Sequence, residues 1–191
     1  MEGRLSLNVI AVIALLVTGA AAQLNTVKEV DVDAYVGRWF QVYGNFWSNL
    51  FADSQIAECT TADYSKINST YVTVFNRYKT REGIEDKING YAFIPDPREP
   101  GRLRVKLDGV PVESPYWIVK LGPIVNNEYT YAVVSDDRAL ALFMLVRDVK
   151  NYYALYDNEI LEYLQLSGFI GPGRSPIKVY HGDDCEYLKT N

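Results

Sequence analysis

The sequence predicts an all-β domain, a meander or barrel of eight antiparallel strands followed by one α-helix. Short runs rich in β-branched and aromatic residues recur at roughly regular spacing, with turn residues between them. One amphipathic segment near the C-terminus breaks this pattern. Because no repeat, low-complexity block or linker divides the chain, we expect one domain over residues 23–191.

The first 22 residues have the composition of a secretory signal peptide. Arg4 gives a basic start, and the apolar run 7–17 is too short to span a bilayer with any margin. Residues 20–22 are alanines, which supply the small side chains that a signal peptidase requires. We therefore expect Gln23 to begin a secreted, extracellular protein. A retained membrane anchor is the alternative interpretation.

Composition and charge restrict the partners. The net charge is −5 at neutral pH, and no basic face is clustered, so no nucleic-acid partner is expected. The chain contains 15 tyrosines, and tyrosine suits a wall with an apolar body and a polar tip. A general preference of β-rich proteins for aromatic residues explains the same composition.

The eight predicted strands are 38–43, 57–65, 71–79, 84–93, 102–107, 116–120, 129–135 and 139–147. The turns between them are predicted at Asn68-Ser69, Glu82-Gly83, 95–101 and Asn126-Asn127. Asn68 also begins an Asn-Ser-Thr sequon, so the B–C turn is predicted to expose a glycosylation acceptor.

A single helix is predicted over 156–168. Ile160 and Leu164 fall on one apolar stripe, Asp157 stands where it can cap the N-terminus, and Gly168 follows as a C-cap. We expect this helix to be structural, not catalytic.

Cys59 and Cys185 are the only cysteines of the chain. In an oxidising compartment, an even pair without metal-ligand spacing predicts one disulfide. Two free thiols are the alternative. In the chain-entropy model, closing so long a loop stabilises the fold by about 4 to 5 kcal/mol.

Several motifs resemble the lipocalin family. Gly37-Arg38-Trp39, within VDAYVGRWFQVY, matches the Gly-x-Trp motif of its first strand, and SPYWIVKL and LFMLVRD resemble two later strands. The similarity runs from Val30 to Leu188 and is closest to the branch of apolipoprotein D and the bacterial lipocalins. It implies an eight-stranded antiparallel up-and-down barrel, with the C-terminal helix packed outside and a calyx that holds a hydrophobic molecule.

The resemblance also implies how the barrel closes. The indole of Trp39 would plug one end, Gly37 would let neighbouring backbone approach, and Arg147 would lie over the indole in a cation-π contact of about 1 to 2 kcal/mol. A solvated strand end is the alternative for Arg147. The disulfide would then staple the tail to the second strand.

One family motif is missing. The second motif, commonly Thr-Asp-x-x-Tyr, is replaced by GPIVNNEY, in which Tyr129 is the candidate remnant. We expect a longer loop there, with altered contacts at the closed end.

Strand alternation and the matching family positions predict the inward face. If Cys59 faces outward to meet the tail, Thr60, Ala62 and Tyr64 face inward. The predicted ligand-binding residues are Tyr43 near the mouth, Tyr64, Asn76, Tyr78, Tyr116 and Phe143. Ordinary barrel packing is the alternative for each of them.

The loop after the first strand is unusually apolar, since it carries Phe46, Trp47, Leu50 and Phe51. By family resemblance, it folds over the open end. It would serve as a lid, or present an apolar patch to a membrane or a partner protein. Simple inward packing of these side chains is the alternative.

We expect no catalysis, metal site or required cofactor. His181 is the only histidine, a cysteine nucleophile would need an unpaired Cys59, and the glycines at 168, 171 and 173 follow a helix instead of preceding one.

The predicted function is carriage of a small hydrophobic ligand, such as a fatty acid, sterol, retinoid, carotenoid or bilin. One alternative is a pigment-binding chromoprotein that holds a bilin or carotenoid. Another is an interaction protein with a filled barrel that acts through its aromatic loop. The sequence leaves the ligand, and the choice between monomer and homo-oligomer, open.

Overall fold

The computed structural model describes residues 24–49, 57–80 and 83–187. The predicted signal peptide and the residues Leu50, Phe51, Glu82 and Leu188 lie outside the described residues. Within the described ranges, no helix combines the length and apolar character needed to cross a membrane.

Strands dominate the described chain. In order, its elements are α1 (Val32–Tyr35), β1 (Gly37–Gly44), α2 (Phe46–Asn49), β2 (Glu58–Lys66), β3 (Tyr71–Lys79), β4 (Glu85–Phe93), β5 (Arg102–Leu107), β6 (Ser114–Leu121), β7 (Ile124–Val125), β8 (Glu128–Tyr129), β9 (Tyr131–Ser135), β10 (Leu142–Val146), α3 (Val149–Leu155), α4 (Asp157–Leu166) and β11 (Ile177–Lys178).

Eight strands close into an antiparallel barrel, which confirms the predicted fold class. Their order is β10-β9-β6-β5-β4-β3-β2-β1, and β1 also pairs with β10 to complete the ring. The short strand β11 pairs with β1, and β7 and β8 form a separate hairpin. The ring therefore satisfies the strand edges that an open sheet would expose.

Two of the predicted strands are shorter in the structure. The seventh is interrupted at Thr130, after a hairpin in which Asn126 and Asn127 adopt φ values of 52° and 66°. The eighth begins at Leu142, because Ala139 has a φ of 53° and lies in a turn.

The helical region begins earlier than predicted. Asp148 caps α3 by accepting a hydrogen bond from the backbone N–H of Asn151, so two helices, α3 and α4, follow the barrel where one was predicted. The prediction that Asp157 is an N-cap is wrong, because helical residues precede it. Its carboxylate accepts a hydrogen bond from the hydroxyl of Tyr43 instead, at 3.3 Å.

The end of α4 follows the prediction. Gly168 has a φ of 87°, and the N–H groups of Gly168 and Phe169 donate to the carbonyls of Gln165 and Leu164. This is a Schellman motif, which needs a residue without a Cβ at the left-handed position.

The apolar residues form two clusters on opposite faces of the barrel wall. The inner cluster includes Trp39, Val74, Ile118 and Leu145. The outer cluster lies between the wall and the helices and includes Val42, Met144, Tyr152, Ile160 and Leu164. The helices thus pack outside the barrel, and the inner cluster lies at the base of the candidate site.

The predicted disulfide joins Cys59 of β2 to Cys185 of the tail, 126 positions later in the sequence. Beside it, the N–H of Cys59 donates to the carbonyl of Tyr180 at 2.8 Å. The tail is therefore fastened to β2, while β11 is paired with β1.

We predict that the double variant Cys59→Ser/Cys185→Ser lowers the free energy of unfolding by about 4 to 5 kcal/mol, because its unfolded chain regains the entropy of an open loop. Urea denaturation of the two oxidised proteins measures the difference. Reducing agent should destabilise the wild type by a similar amount and leave the variant unchanged. A variant as stable as the oxidised wild type would contradict the prediction.

Candidate ligand site inside the barrel

The inward-facing wall changes character along the barrel axis. Near the closed end, where α1 meets the start of β1, inward residues such as Trp39, Val72 and Leu103 are buried. Towards the open end, where β1 ends and β10 begins, the inward side chains of Leu107 and Phe143 are only half-buried. Both side chains pack against the inner cluster, so the surface that they retain belongs to the inward side of the wall.

Two polar groups on this wall lack hydrogen-bond partners among the described residues. Asn76 lies opposite Ala62 and therefore shares its inward face. The Oδ1 atom of Asn76 and the Oγ1 atom of Thr60 are buried without a hydrogen-bond partner among the described residues. Unpaired buried oxygens are costly in a finished core, so their presence favours a site that receives a molecule.

Three tyrosines, which we call the tyrosine cluster, lie nearer the closed end and belong to or pack against the inner cluster: Tyr35 from α1, Tyr64 from β2 and Tyr116 from β6. The hydroxyl of Tyr116 lies 2.7 Å from that of Tyr35 and 3.1 Å from that of Tyr64. The rings of Tyr35 and Tyr64 stack with centroids 5.9 Å apart. Burial raises the pKa of Tyr64 to about 12 and raises the pKa of Tyr35 and Tyr116 well above the usual value. All three are therefore neutral near pH 7.

The closed end is built around Trp39 and Arg147. The guanidinium lies 3.8 Å from the centre of the indole ring, so the predicted cation-π contact is present. Arg147 also donates to the carbonyls of Arg38 and Val36, each at 2.6 Å, and of Tyr35 at 3.0 Å. Its side chain is 11% exposed, which excludes a solvated strand end. Burial lowers the pKa of Arg147, while Glu128, 3.9 Å away, opposes that shift.

Gly37 is required by this closure. Its φ is 101°, and a Cβ placed on it would lie 3.0 Å from Nη1 of Arg147 and 3.3 Å from Oε1 of Glu128. The backbone conformation is therefore strained for any residue with a side chain, and a Cβ would also crowd Arg147 and Glu128.

The loop that replaces the second family motif still reaches the closed end. The hydroxyl of Tyr129 accepts a hydrogen bond from the N–H of Asp31 at 3.0 Å. Its ring meets the ring of Tyr35 edge to face. Tyr129 thus ties the chain before α1 to the base of the barrel, even though the motif itself is missing.

The structure corrects the prediction for Tyr43. The pairing of β1 with β10 shifts between Gln41 and Tyr43, so Val42 is an extra residue in a β-bulge. The bulge reverses the alternation, and the Tyr43 side chain packs in the outer cluster beside Tyr153. Tyr43 is therefore not a lining residue of the interior, and burial beside Asp157 raises its pKa.

The other predicted lining residues face the interior. Tyr64, Tyr116 and Phe143 pack with the inner cluster, and Asn76 shares its face. Tyr78 lies two positions further towards the rim, where its hydroxyl donates to Asp86 at 2.9 Å. The structure thus brings five of the six residues together, and their role in binding stays a prediction.

The described start of the aromatic loop is exposed. Phe46 and Trp47 are 50% and 39% exposed, and their rings are in contact, with centroids 5.4 Å apart. Asn68 of the predicted sequon is also exposed. Its Oδ1 accepts hydrogen bonds from the backbone N–H groups of Thr70 and Tyr71. Glycosylation of Asn68 stays a prediction.

Sequence reasoning missed Asn45, a fully buried residue at the rim. Its side chain donates to the carbonyl of Leu140 at 2.6 Å and accepts from the N–H groups of Ser48 and Leu142. Asn45 therefore holds α2 against the chain that leads into β10. An asparagine directly after a strand reads as an ordinary turn residue, so only the tertiary contacts show this role.

His181 is occupied by structural contacts. One ring nitrogen lies 2.6 Å from the hydroxyl of Tyr187, and the other lies 2.9 Å from the carbonyl oxygen of Gln41. Burial lowers the pKa of His181. Among the described residues, no cluster of three or more histidines, cysteines or carboxylates is placed to hold a metal ion.

Comparison with known proteins gives one family match. Residues 30–168 match the family model described as a Lipocalin-like domain. Apolipoprotein D of Mus musculus is 27% identical over 92 residues, which cover 48% of this chain and 46% of that protein. The outer membrane lipoprotein Blc of Vibrio cholerae is 27% identical over 130 residues, which cover 68% of this chain and 71% of that protein. The chain spans about half the length of the apolipoprotein D relatives it matches.

Solved structures share the fold. Lobster apocrustacyanin A1 superposes with a TM-score of 0.55 at 19% identity, covering 78% of this chain and 79% of its own. Japanin from Rhipicephalus appendiculatus, in a structure bound to cholesterol, superposes with a TM-score of 0.53 at 17% identity, covering 82% of this chain and 100% of its own.

We predict that Arg147→Met lowers the free energy of unfolding by about 3 kcal/mol or more, because several buried carbonyls lose their donor and the indole loses its cation. Urea denaturation provides the measurement. Arg138→Met is the matched control, since the Arg138 side chain is 76% exposed and its loss should change stability by less than about 0.5 kcal/mol. Equal stability of the two variants would show that the closed end does not depend on Arg147.

Proposed function

Since this chain belongs to the lipocalin family, we propose that it is a secreted binding and transport protein that holds a small hydrophobic ligand inside the barrel. The observation that carries the proposal is the inward wall of the open half, where apolar side chains such as Leu107 and Phe143 keep accessible surface. When an apolar molecule covers such exposed apolar surface, water is displaced and the free energy of the system falls.

The ligand class is a fatty acid, sterol, retinoid, carotenoid or bilin. The neighbour Japanin is bound to cholesterol, which belongs to this class. A ligand of about 25 heavy atoms that gains about 0.3 kcal/mol per atom would bind with about 7 to 8 kcal/mol, near micromolar affinity. Tighter binding requires well-placed polar contacts.

Three features support an extracellular location for this function. The disulfide between Cys59 and Cys185 requires an oxidising compartment to persist. The signal peptide predicted over residues 1–22 and the exposed sequon at Asn68 agree with an extracellular carrier.

A second candidate function is contact with a membrane surface or a partner protein through the aromatic loop. It is favoured by the exposure of Phe46 and Trp47, which form an apolar pair at the rim. This contact is compatible with ligand carriage, because Phe46 and Trp47 follow the end of β1 and lie outside the interior wall. A filled barrel that acts only through this loop would bind no ligand.

Native mass spectrometry and a ligand panel test the carrier function. We expect the protein purified from its source to release a small hydrophobic molecule on extraction with organic solvent, and the emptied protein to bind members of a panel of lipids, retinoids, sterols and tetrapyrroles. A visible absorption band in the purified protein would identify a pigment carrier. Release of nothing, together with failure of the whole panel, would refute the carrier function.

We predict that Phe143→Ala weakens the affinity for the tightest panel ligand by about tenfold or more, because the variant removes an aromatic ring from the inward wall. Fluorescence titration provides the measurement. Phe75→Ala is the matched control, since Phe75 is also half-buried but lies on the outward face of β3, next to Val74 and Asn76. Equal affinities of the two variants would place the ligand elsewhere.

A further inference from the structure

The tyrosine cluster carries an unused hydrogen-bond donor. Three neutral hydroxyls hold three protons, and each of the two contacts around Tyr116 uses one of them. No further hydrogen-bond partner of these three hydroxyls occurs among the described residues. One O–H group therefore has no acceptor among the described residues. A buried donor without a partner is unfavourable, so an incoming acceptor would be stabilised there.

The central position of Tyr116 makes it the hydroxyl that can turn its proton towards a ligand. The hydroxyl of Tyr116 lies within hydrogen-bond distance of the hydroxyls of both Tyr35 and Tyr64, and no direct contact joins those two hydroxyls among the described residues. A phenolic oxygen can accept two hydrogen bonds while it donates one. Tyr116 can accordingly accept from both neighbours and direct its own proton into the barrel. Two accepted bonds polarise that O–H group and make it a better donor.

The charge around this donor selects a neutral acceptor. The inward positions of the open half carry no lysine or arginine in the described chain, and Asp86 places a negative charge at the rim. The nearby cation, Arg147, lies at the base, where backbone carbonyls surround its guanidinium. A ligand carboxylate that reached Tyr116 would be buried without a counter-charge, which is strongly unfavourable.

We propose that Tyr116 is a specificity-determining residue, which donates a hydrogen bond to a neutral carbonyl or hydroxyl oxygen at the leading end of the ligand. The proposal rests on the proposed carrier function and narrows it. The preferred ligands are neutral lipids with an oxygen at the buried end, and a lipid acid of the same skeleton binds more weakly or in the opposite orientation.

Matched lipid series test the donor. The probes are hexadecan-1-ol, palmitate and hexadecane, together with retinol and retinoic acid, titrated against the full chain by displacement of a fluorescent probe. We expect the wild type to bind each alcohol about tenfold more tightly than the matched acid. We expect Tyr116→Phe to lose about tenfold in affinity for both alcohols and to bind hexadecane as the wild type does.

Two phenol variants separate donation from packing. Tyr64→Phe removes a neighbour of Tyr116 but keeps the proton that faces the interior, so we expect less than a threefold loss for the alcohols. Tyr129→Phe removes a hydroxyl that bonds Asp31 at the closed end, and we expect no loss. Thermal denaturation of each variant verifies that it is folded. If Tyr116→Phe does not fold, the ratio of alcohol to acid affinity in the wild type decides the proposal, since a neutral donor without a counter-charge favours the alcohol.

The outcomes are distinct from those of the carrier function. Equal binding of alcohol and acid in the wild type, or unchanged alcohol affinity in Tyr116→Phe, overturns the donor proposal and leaves the carrier function intact. Failure of both alcohols to bind also overturns the donor proposal, while the carrier function is then decided by the wider panel. Equal losses for hexadecan-1-ol and hexadecane would assign Tyr116 a packing role and likewise overturn the proposal.

Discussion

The closed end of the barrel depends on the stack of Arg147 upon Trp39. The guanidinium is held 3.8 Å from the indole centre by a cage of carbonyls from α1 and the start of β1. The guanidinium thereby donates hydrogen bonds to several backbone carbonyls where α1 leads into β1, and without it these buried carbonyls would lose this partner. The floor that results closes one end of the barrel, while inward side chains towards the other end, such as Leu107 and Phe143, are only partly buried.

Two irregularities in the wall divide its side chains between the two apolar clusters. The bulge at Val42 sends Tyr43 outward to the helices, and a second register shift between Ile118 and Lys120 lets Ile118 and Leu121 both reach the inner cluster. The outer cluster gives rigidity, since α3 and α4 cover it. Towards the open end, side chains that pack against the inner cluster, such as Leu107 and Phe143, are only partly buried. In the proposed function, the ligand covers this remaining apolar surface.

Local sequence patterns predicted most of the fold. Runs of β-branched and aromatic residues indicated the strands, and turn residues such as glycine and asparagine indicated the turns and the end of α4. The disulfide and the contact between Trp39 and Arg147 could be placed from the motifs and their family resemblance. The outward direction of the Tyr43 side chain could not be predicted. It results from a β-bulge that depends on pairing with β10, and the residues of β1 alone do not indicate that bulge. The same holds for α3, whose aromatic residues Tyr152 and Tyr153 have modest helix propensity and gain their stability from packing on the barrel.

The pairing of β1 with β10 has a consequence for biosynthesis. The first and last strands of the ring meet, so the emerging chain carries an unpaired, half-apolar edge until nearly the whole domain has left the ribosome. The folding chain must therefore shield β1 from neighbouring chains for that entire interval. The disulfide cannot form until Cys185 has also emerged, because this residue follows every barrel strand in the sequence.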